Sequence, residues 1–296
     1  MNIVKVWLLA LRPLSFTAAV IPVLAGTAVV ADQNFRPGLF VLALIGSVAL
    51  QGGTNLVNDY FDHIWGTDTA DSLGPSGVIQ RGLLSPRAVL IGGFVMFAIG
   101  AAIGLVITAF VGWPVLVLGV VSVIGGYAYT GPPFKLAYRA LGEVTVFLLM
   151  GVIIVMGAAY VQVEQFTLEA FLASVPVGLL TAAILHANNL RDIQDDRANH
   201  KLTLASLAGR PIADYELIAL VLGAFVAVGA LVITQDAPVT TLIALLALIP
   251  ALRLLAMLPR SETPRSLNAV LAGTAGVHML FGTLWALGFA IDAWVS

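Results

Sequence analysis

Residues 55–68 read NLVNDYFDHIWGTD, and they close a stretch, 38–57, that contains no charged side chain. Asp59, Asp62 and Asp68 therefore stand at the mouth of a segment as long as the roughly 20 apolar residues a helix needs to cross a bilayer core about 30 Å thick. The arrangement returns at 188–196, NNLRDIQDD, again directly after an apolar run.

Composition explains why these acids matter. Of 296 residues, 59% are hydrophobic and only 10% charged, whereas soluble domains carry about 25% charged residues. The mean hydropathy is +0.99. A water-soluble core cannot absorb that deficit of charge, so lipid is the expected solvent for most of the surface. There are no cysteines, which excludes disulfides, thiolate catalysis and Cys-based metal sites. The net charge of −2 gives no sign of a nucleic-acid partner. The opening MNIVKVWLLALRP is a poor signal peptide, because Arg12 and Pro13 cut its apolar run short.

Apolar runs predict membrane spans at 14–31, 38–57, 88–108, 114–130, 141–161, 168–188, 213–233, 238–258 and 268–290. Charge placement supports nine. Of the 14 Lys and Arg residues, all but Arg36 then fall on one side, among them Lys5, Arg12, Arg81, Arg87, Lys135, Arg139, Arg191, Lys201 and Arg210. By the positive-inside rule that side is cytoplasmic, which puts the N-terminus and the acidic loops inside an inner membrane and the C-terminus outside. The expected fold is all-α: a single transmembrane domain over 1–296, two four-helix repeats plus one helix.

The repeat reading rests on the acidic motif. Asn55-x3-Asp59-x2-Asp62 and Asn188-x3-Asp192-x2-Asp195 match at an offset of 133, each ending an even-numbered span. The two regions extend over 55–71 and 188–201. Side chains three or four apart share a helix face, so Asp59 pairs with Asp62, and Asp192 with Asp195 or Asp196. Capping and loop solvation are the ordinary uses of such residues, but two matched sets in so uncharged a chain favour function. Carboxylates without cysteine select hard cations such as Mg²⁺, Mn²⁺ or Ca²⁺. Arg81, Lys135, Arg139, Arg191 and Lys201 share the loops, which suits a diphosphate. Carboxylates alone repel that ligand, at about 4 kcal/mol per unit-charge pair 4 Å apart at an effective dielectric of 20. A divalent metal is therefore required.

In these stretches the chain resembles the UbiA-type intramembrane prenyltransferase superfamily, through Asn58-Asp59-YF-Asp62 and Asp192-IQD-Asp196. The resemblance extends to the subgroup acting on 1,4-dihydroxy-2-naphthoate in menaquinone synthesis, through LRPLSFTAAVIPVLAGTA (11–28), DSLGPSGVIQRGLLSP (71–86), YTGPPFKLAYRALGE (129–143) and NNLRDIQDDRANHKLTLA (188–205). It implies prenyl transfer from an allylic polyprenyl diphosphate to the naphthoate ring with loss of the carboxylate, giving demethylmenaquinone. It further implies Mg²⁺, with Mn²⁺ as a substitute, held by Asp59, Asp62, Asp192 and Asp196, with Asp68 as an additional metal contact. Asn58, Arg81, Tyr129, Lys135, Arg139, Asn188, Arg191 and Lys201 then face the substrate, and the isoprenoid tail lies among apolar helices in membrane lipid. The chain departs from the broad pattern at Gly66, where relatives have a third Asp, and at Gly77 and His200, where some carry Arg and Gly.

Several residues stay open on this reading. Asp71 is as suited to loop solvation as to metal contact. His186 reads as a packing histidine before a substrate contact, Arg12 as an interfacial anchor before a partner for an acceptor carboxylate, and Glu143 as a helix-dipole partner. Gly52 and Gly53 permit close helix approach. Other acceptors (4-hydroxybenzoate, homogentisate, a tetrapyrrole) remain alternatives. A cation transporter is a remoter one, because its acids belong near the midplane and not at helix ends among Lys and Arg.

Overall fold

The computed structural model describes residues 2–68 and 76–295; Asp71 lies outside them. Helices α1 (Ile3–Leu11) and α2 (Pro13–Val29) meet at a 45° bend. They are followed by α3 (Pro37–Ile64), α4 (Pro86–Val111), α5 (Trp113–Ala128), α6 (Gly142–Val163) and α7 (Leu168–Arg191). Two short helices, α8 (Ile193–Ala198) and α9 (Leu204–Ala208), lead to α10 (Arg210–Ile233), α11 (Val239–Arg260) and α12 (Pro264–Val295). There is no strand among the described residues, only an isolated bridge between Arg139 and Leu202.

The helix starts are written in the sequence. Proline occupies the first turn of α2, α3, α4, α5, α10 and α12, where its missing N–H costs nothing. Ser85 and Thr167 cap α4 and α7 by accepting from the Ala88 and Ala170 amides at 3.2 and 3.1 Å. Each of the nine expected spans coincides with a helix. Seven are long and apolar enough to cross a membrane, and the bent α1–α2 pair makes an eighth. α5 is apolar but shorter, at 16 residues. The Arg12–Pro13 break bends the N-terminal helix where the sequence suggested it would begin.

Packing divides inside from lipid. Trp285, Phe281, Leu180 and Leu217 are fully buried where α7, α10 and α12 meet, and Trp285 Nε1 donates to the Ala173 carbonyl at 3.2 Å. Large apolar side chains such as Val226 (70% exposed) point outward, as expected when the surroundings are acyl chains. Near the first motif, α3 is gripped on two sides. A Cβ on Gly53 would stand 2.6 Å from the Phe97 ring, and one on Gly52 would stand 2.9 Å from Leu11. Only glycine there lets α4 and the end of α1 close on α3 just before Asp59. In α6, a π-helical stretch, Phe147–Ile153, backs onto Gly178 of α7. Its Leu149 and Met150 reach the cavity described next.

Candidate functional site

A cavity of about 560 Å³ opens between the ends of α3 and α7. Its polar end gathers five aspartates (Asp62, Asp68, Asp192, Asp195 and Asp196) with Arg12, Arg191 and Lys201. Leu9, Leu14, Val146, Leu149, Met150, Ile184 and Leu271 make the remainder apolar. Asn58, Tyr129 and Asn188 also line it, as the sequence suggested.

The first motif lies on the last turns of α3, which runs on to Ile64 instead of ending at 57. Asp62 accepts from the Tyr138 hydroxyl at 2.6 Å, and that hydroxyl is 2.8 Å from Thr67 Oγ1. Asn58 Oδ1 accepts from Thr130 at 2.8 Å. Asp59 is buried behind the cavity wall, bound by the Arg12 guanidinium and the Ser76 hydroxyl. It thus lies deeper than Asp62, although the i,i+3 spacing predicts a shared face. The helix is closed by Gly66 at φ +75°, a left-handed position that glycine adopts without strain. The Thr67 and Asp68 amides then turn back onto the Asp62 carbonyl at 2.9 and 3.2 Å. That turn returns Asp68 to the site and accounts for an acid two residues beyond Gly66.

The second motif straddles a junction. α7 ends at Arg191, Asp192 adopts φ −97° and ψ 9°, and Asp196 lies on α8, so the pair shares no continuous helix. Arg191 forks onto Asp192, both contacts at 2.6 Å, and also reaches Asn188 and Asn268, each at 3.0 Å. Asp196 is 1% exposed, accepts from Thr203 at 3.3 Å and lies 3.5 Å from Lys201 Nζ. His200, at φ +55°, makes the turn that brings Lys201 back.

Charge is concentrated enough to shift titration. Burial, with the negative charge of Asp62, pushes Asp68 up to about 6. Burial likewise pushes Asp196 up to about 6, despite the opposing Lys201. Burial alone would lower Lys201, but Asp62, Asp196 and Asp192 hold it above its ordinary value. Among the described residues no three His, Cys, Asp or Glu side chains are close enough to cage a metal alone. The all-oxygen donor set still fits Mg²⁺, which takes one or two carboxylates and completes its shell with water and phosphate oxygens.

Three expected substrate contacts lie off the cavity lining. Lys135 sits 3.1 Å from the centre of the Trp65 ring. Arg139 is exposed and reaches the Pro133 carbonyl at 3.4 Å. Arg81 folds onto the Ser76 and Gly77 carbonyls. His186 is buried between Glu143 Oε1 (3.0 Å) and the Ala213 carbonyl (2.9 Å), which agrees with a packing role. Glu143 is more than a dipole partner, since it also accepts from Asn189 at 3.0 Å. Arg12 is paired with Asp59 and lines the cavity, a partner that its position before Pro13 did not suggest. Tyr138, Ser76 and Asn268 were not singled out from sequence. Tyr138 sits inside the 129–143 stretch that carries the resemblance, while Asn268 lies on the last helix, outside every stretch that carries it.

Oxygen donors for a hard cation at one end and apolar walls beyond define an intramembrane site for an amphiphile with an anionic head. The chain belongs to the UbiA prenyltransferase family, whose model matches residues 19–284. It is 32% identical over 283 residues to a 1,4-dihydroxy-2-naphthoate octaprenyltransferase of Bacillus subtilis (strain 168), covering 95% of this chain and 91% of that one. It is 28% identical over 290 residues to a 2-carboxy-1,4-naphthoquinone phytyltransferase of Synechocystis, covering 96% and 93%. Among solved structures, a UbiA homolog from Archaeoglobus fulgidus bound to GPP and Mg²⁺ shares the fold at a TM-score of 0.70 and 16% identity, covering 97% and 99%.

Proposed function

We propose that this protein transfers a prenyl group from an allylic polyprenyl diphosphate to 1,4-dihydroxy-2-naphthoate, with Asp59, Asp62, Asp192 and Asp196 as the residues that would hold Mg²⁺, Asp68 as an additional contact, and Asp59 available once Arg12 releases it. The observation that carries the reading is the cavity's division into a carboxylate-and-cation end and an apolar remainder. An isoprenoid diphosphate has the same division. The B. subtilis and Synechocystis relatives are named for different prenyl donors but both for a naphthalene-ring acceptor, which supports the acceptor more than the tail length. Bound Mg²⁺, or Mn²⁺ in its place, supplies charge neutralisation that makes diphosphate a competent leaving group.

The chain's own residues do the rest. Lys201, Arg12 and Arg191 face the anionic head, with Asn58, Tyr129 and Asn188 as polar contacts. Arg81, Lys135 and Arg139, off the lining here, are further candidates for the anionic head. The apolar wall holds the tail and keeps water from the allylic carbon. The C1–O bond breaks with its electron pair leaving on diphosphate. The ring carbon bearing the carboxylate forms the new C–C bond, and the carboxylate's electrons return to the ring as CO₂ departs. The immediate product is the quinol form of demethylmenaquinone. The bias of all but one Lys and Arg to one side supports a site on the cytoplasmic face of the inner membrane, within membrane lipid and with the C-terminus outside. One transmembrane domain over 1–296 carries the site.

Membranes containing the protein, given labelled geranylgeranyl diphosphate and separate acceptors, test the reading. Prenylated product with release of CO₂ is expected from 1,4-dihydroxy-2-naphthoate. Product from 4-hydroxybenzoate or homogentisate but none from the naphthoate overturns the acceptor.

A further inference from the structure

Each acidic motif begins with an aspartate that an arginine already holds. Asp59, leading the first motif, is bound by Arg12, and Asp192, leading the second, is bound by Arg191. The two arrangements come from unrelated sequence. Arg12 reaches Asp59 from 47 residues away, from a residue in left-handed conformation at the α1–α2 bend. Arg191 is the immediate neighbour of Asp192 and grips both of its oxygens at 2.6 Å. The outcome is the same in both halves: the leading carboxylate of each motif already has a cation on it. Neither arginine is satisfied by its aspartate alone. Arg12 Nε is buried with no hydrogen-bond partner, and both guanidiniums line the cavity. Arg191 is propped from the far side by Asn268 of α12.

Resting on the proposed function, we infer that Arg12 and Arg191 are positioning residues that act as resident counter-ions. They compete with divalent metal for Asp59 and Asp192, and they turn to the diphosphate when metal takes the carboxylates. Both oxygens of each carboxylate are already engaged, by Arg12 and Ser76 on Asp59 and by Arg191 on Asp192, so metal alone competes with an arginine that, once displaced, has no anion to face. Metal arriving with a diphosphate leaves every charge partnered, because the released guanidinium meets the incoming anion. Metal and diphosphate therefore bind synergistically, and the protein has little affinity for free metal. Coupling of this kind is reciprocal, so inorganic diphosphate tightens metal by the factor that metal tightens diphosphate.

The test is Mn²⁺ binding to the full-length detergent-solubilised protein, read by loss of the free-ion paramagnetic signal, with and without inorganic diphosphate and corrected for the Mn²⁺–diphosphate complex in buffer. Wild type is expected to bind Mn²⁺ weakly alone and at least about tenfold more tightly with diphosphate, within the usual range of coupling. Arg12→Gln and Arg191→Gln are expected to bind Mn²⁺ alone about tenfold more tightly than wild type, with the diphosphate enhancement reduced by a similar factor. A merely structural arginine would weaken both measurements. Arg12→Lys and Arg191→Lys keep the charge without the fork, so they should fall between, and they decide the matter if a glutamine variant does not fold. Folded variants whose affinity for Mn²⁺ alone is unchanged or weaker overturn the counter-ion role while leaving the proposed function in place. Wild type that binds no Mn²⁺ even with inorganic diphosphate removes the proposed function itself, and this inference with it.

Discussion

Replacing Tyr138 by Phe isolates one bond that holds the first motif in shape. The Tyr138 hydroxyl donates to Asp62 Oδ1 at 2.6 Å while lying 2.8 Å from Thr67 Oγ1. It fixes one carboxylate oxygen and ties the loop after α3 to the 136–138 turn. Phenylalanine keeps the ring and deletes only the donor. A hydrogen bond to a charged acceptor is worth about 1.5–3 kcal/mol, and each 1.4 kcal/mol is a factor of about ten. Partners that orient a metal ligand typically change metal affinity by about 10–100-fold, so the two estimates agree. Tyr138→Phe is accordingly expected to raise the Mg²⁺ concentration for half-maximal prenyl transfer by about 10–100-fold, with a smaller loss at saturating Mg²⁺. Tyr160→Phe is the matched control, since its hydroxyl reaches only the Val111 carbonyl near the other membrane face. The assay is a Mg²⁺ titration of product formation by all three proteins in the same membranes. A Tyr138→Phe curve that overlays wild type would refute the claim that Asp62 is a metal ligand held by this bond.

Other outcomes follow from the same geometry. Asp192→Asn should abolish turnover while the protein still inserts and folds, checked by activity beside detergent-solubilised melting; turnover near wild type would remove Asp192 from the metal set. Excess chelator should stop the reaction and added Mg²⁺ restore it, and full activity without divalent metal would sink the diphosphate argument. Because Asp68 and Asp196 are held up to about 6, they gain protons as pH falls through that value. A protonated carboxyl is a poor ligand, so the Mg²⁺ requirement should rise below pH 6, flatten above it, and be overcome by more Mg²⁺. A requirement that does not change between pH 5 and 7 would contradict this. Trp285→Ala empties a fully buried position among α7, α10 and α12, and should lower the melting temperature through a loss of about 3–5 kcal/mol, leaving the Mg²⁺ requirement unchanged.

Much of this was legible in the chain because the controlling forces are local or one-dimensional. Hydrophobic length sets the spans, and each expected segment is helical. The proline starts and the charge asymmetry needed no third dimension either. The i,i+3 and i,i+4 spacing of the motifs marked Asp62, Asp192 and Asp196, and all three line one cavity. Loop membership alone does not say where a long cationic side chain rests. Lys135 and Arg139 share a loop with the bridge to Leu202, yet they turn to Trp65 and to Pro133. Lys201 reaches Asp196 only because His200 takes a left-handed turn.

Sequence by itself therefore determined that this is a helical membrane protein with two acidic sites on one side, since periodicity, segment length and net charge per loop are sums over neighbours in the chain. Which cation meets which aspartate was decided by tertiary structure alone. Arg12 approaches Asp59 across a helix bend, and Asn268 steadies Arg191 from the last helix. A buried charge is stable only beside a partner, and that partner can come from any element that packing brings within hydrogen-bond reach.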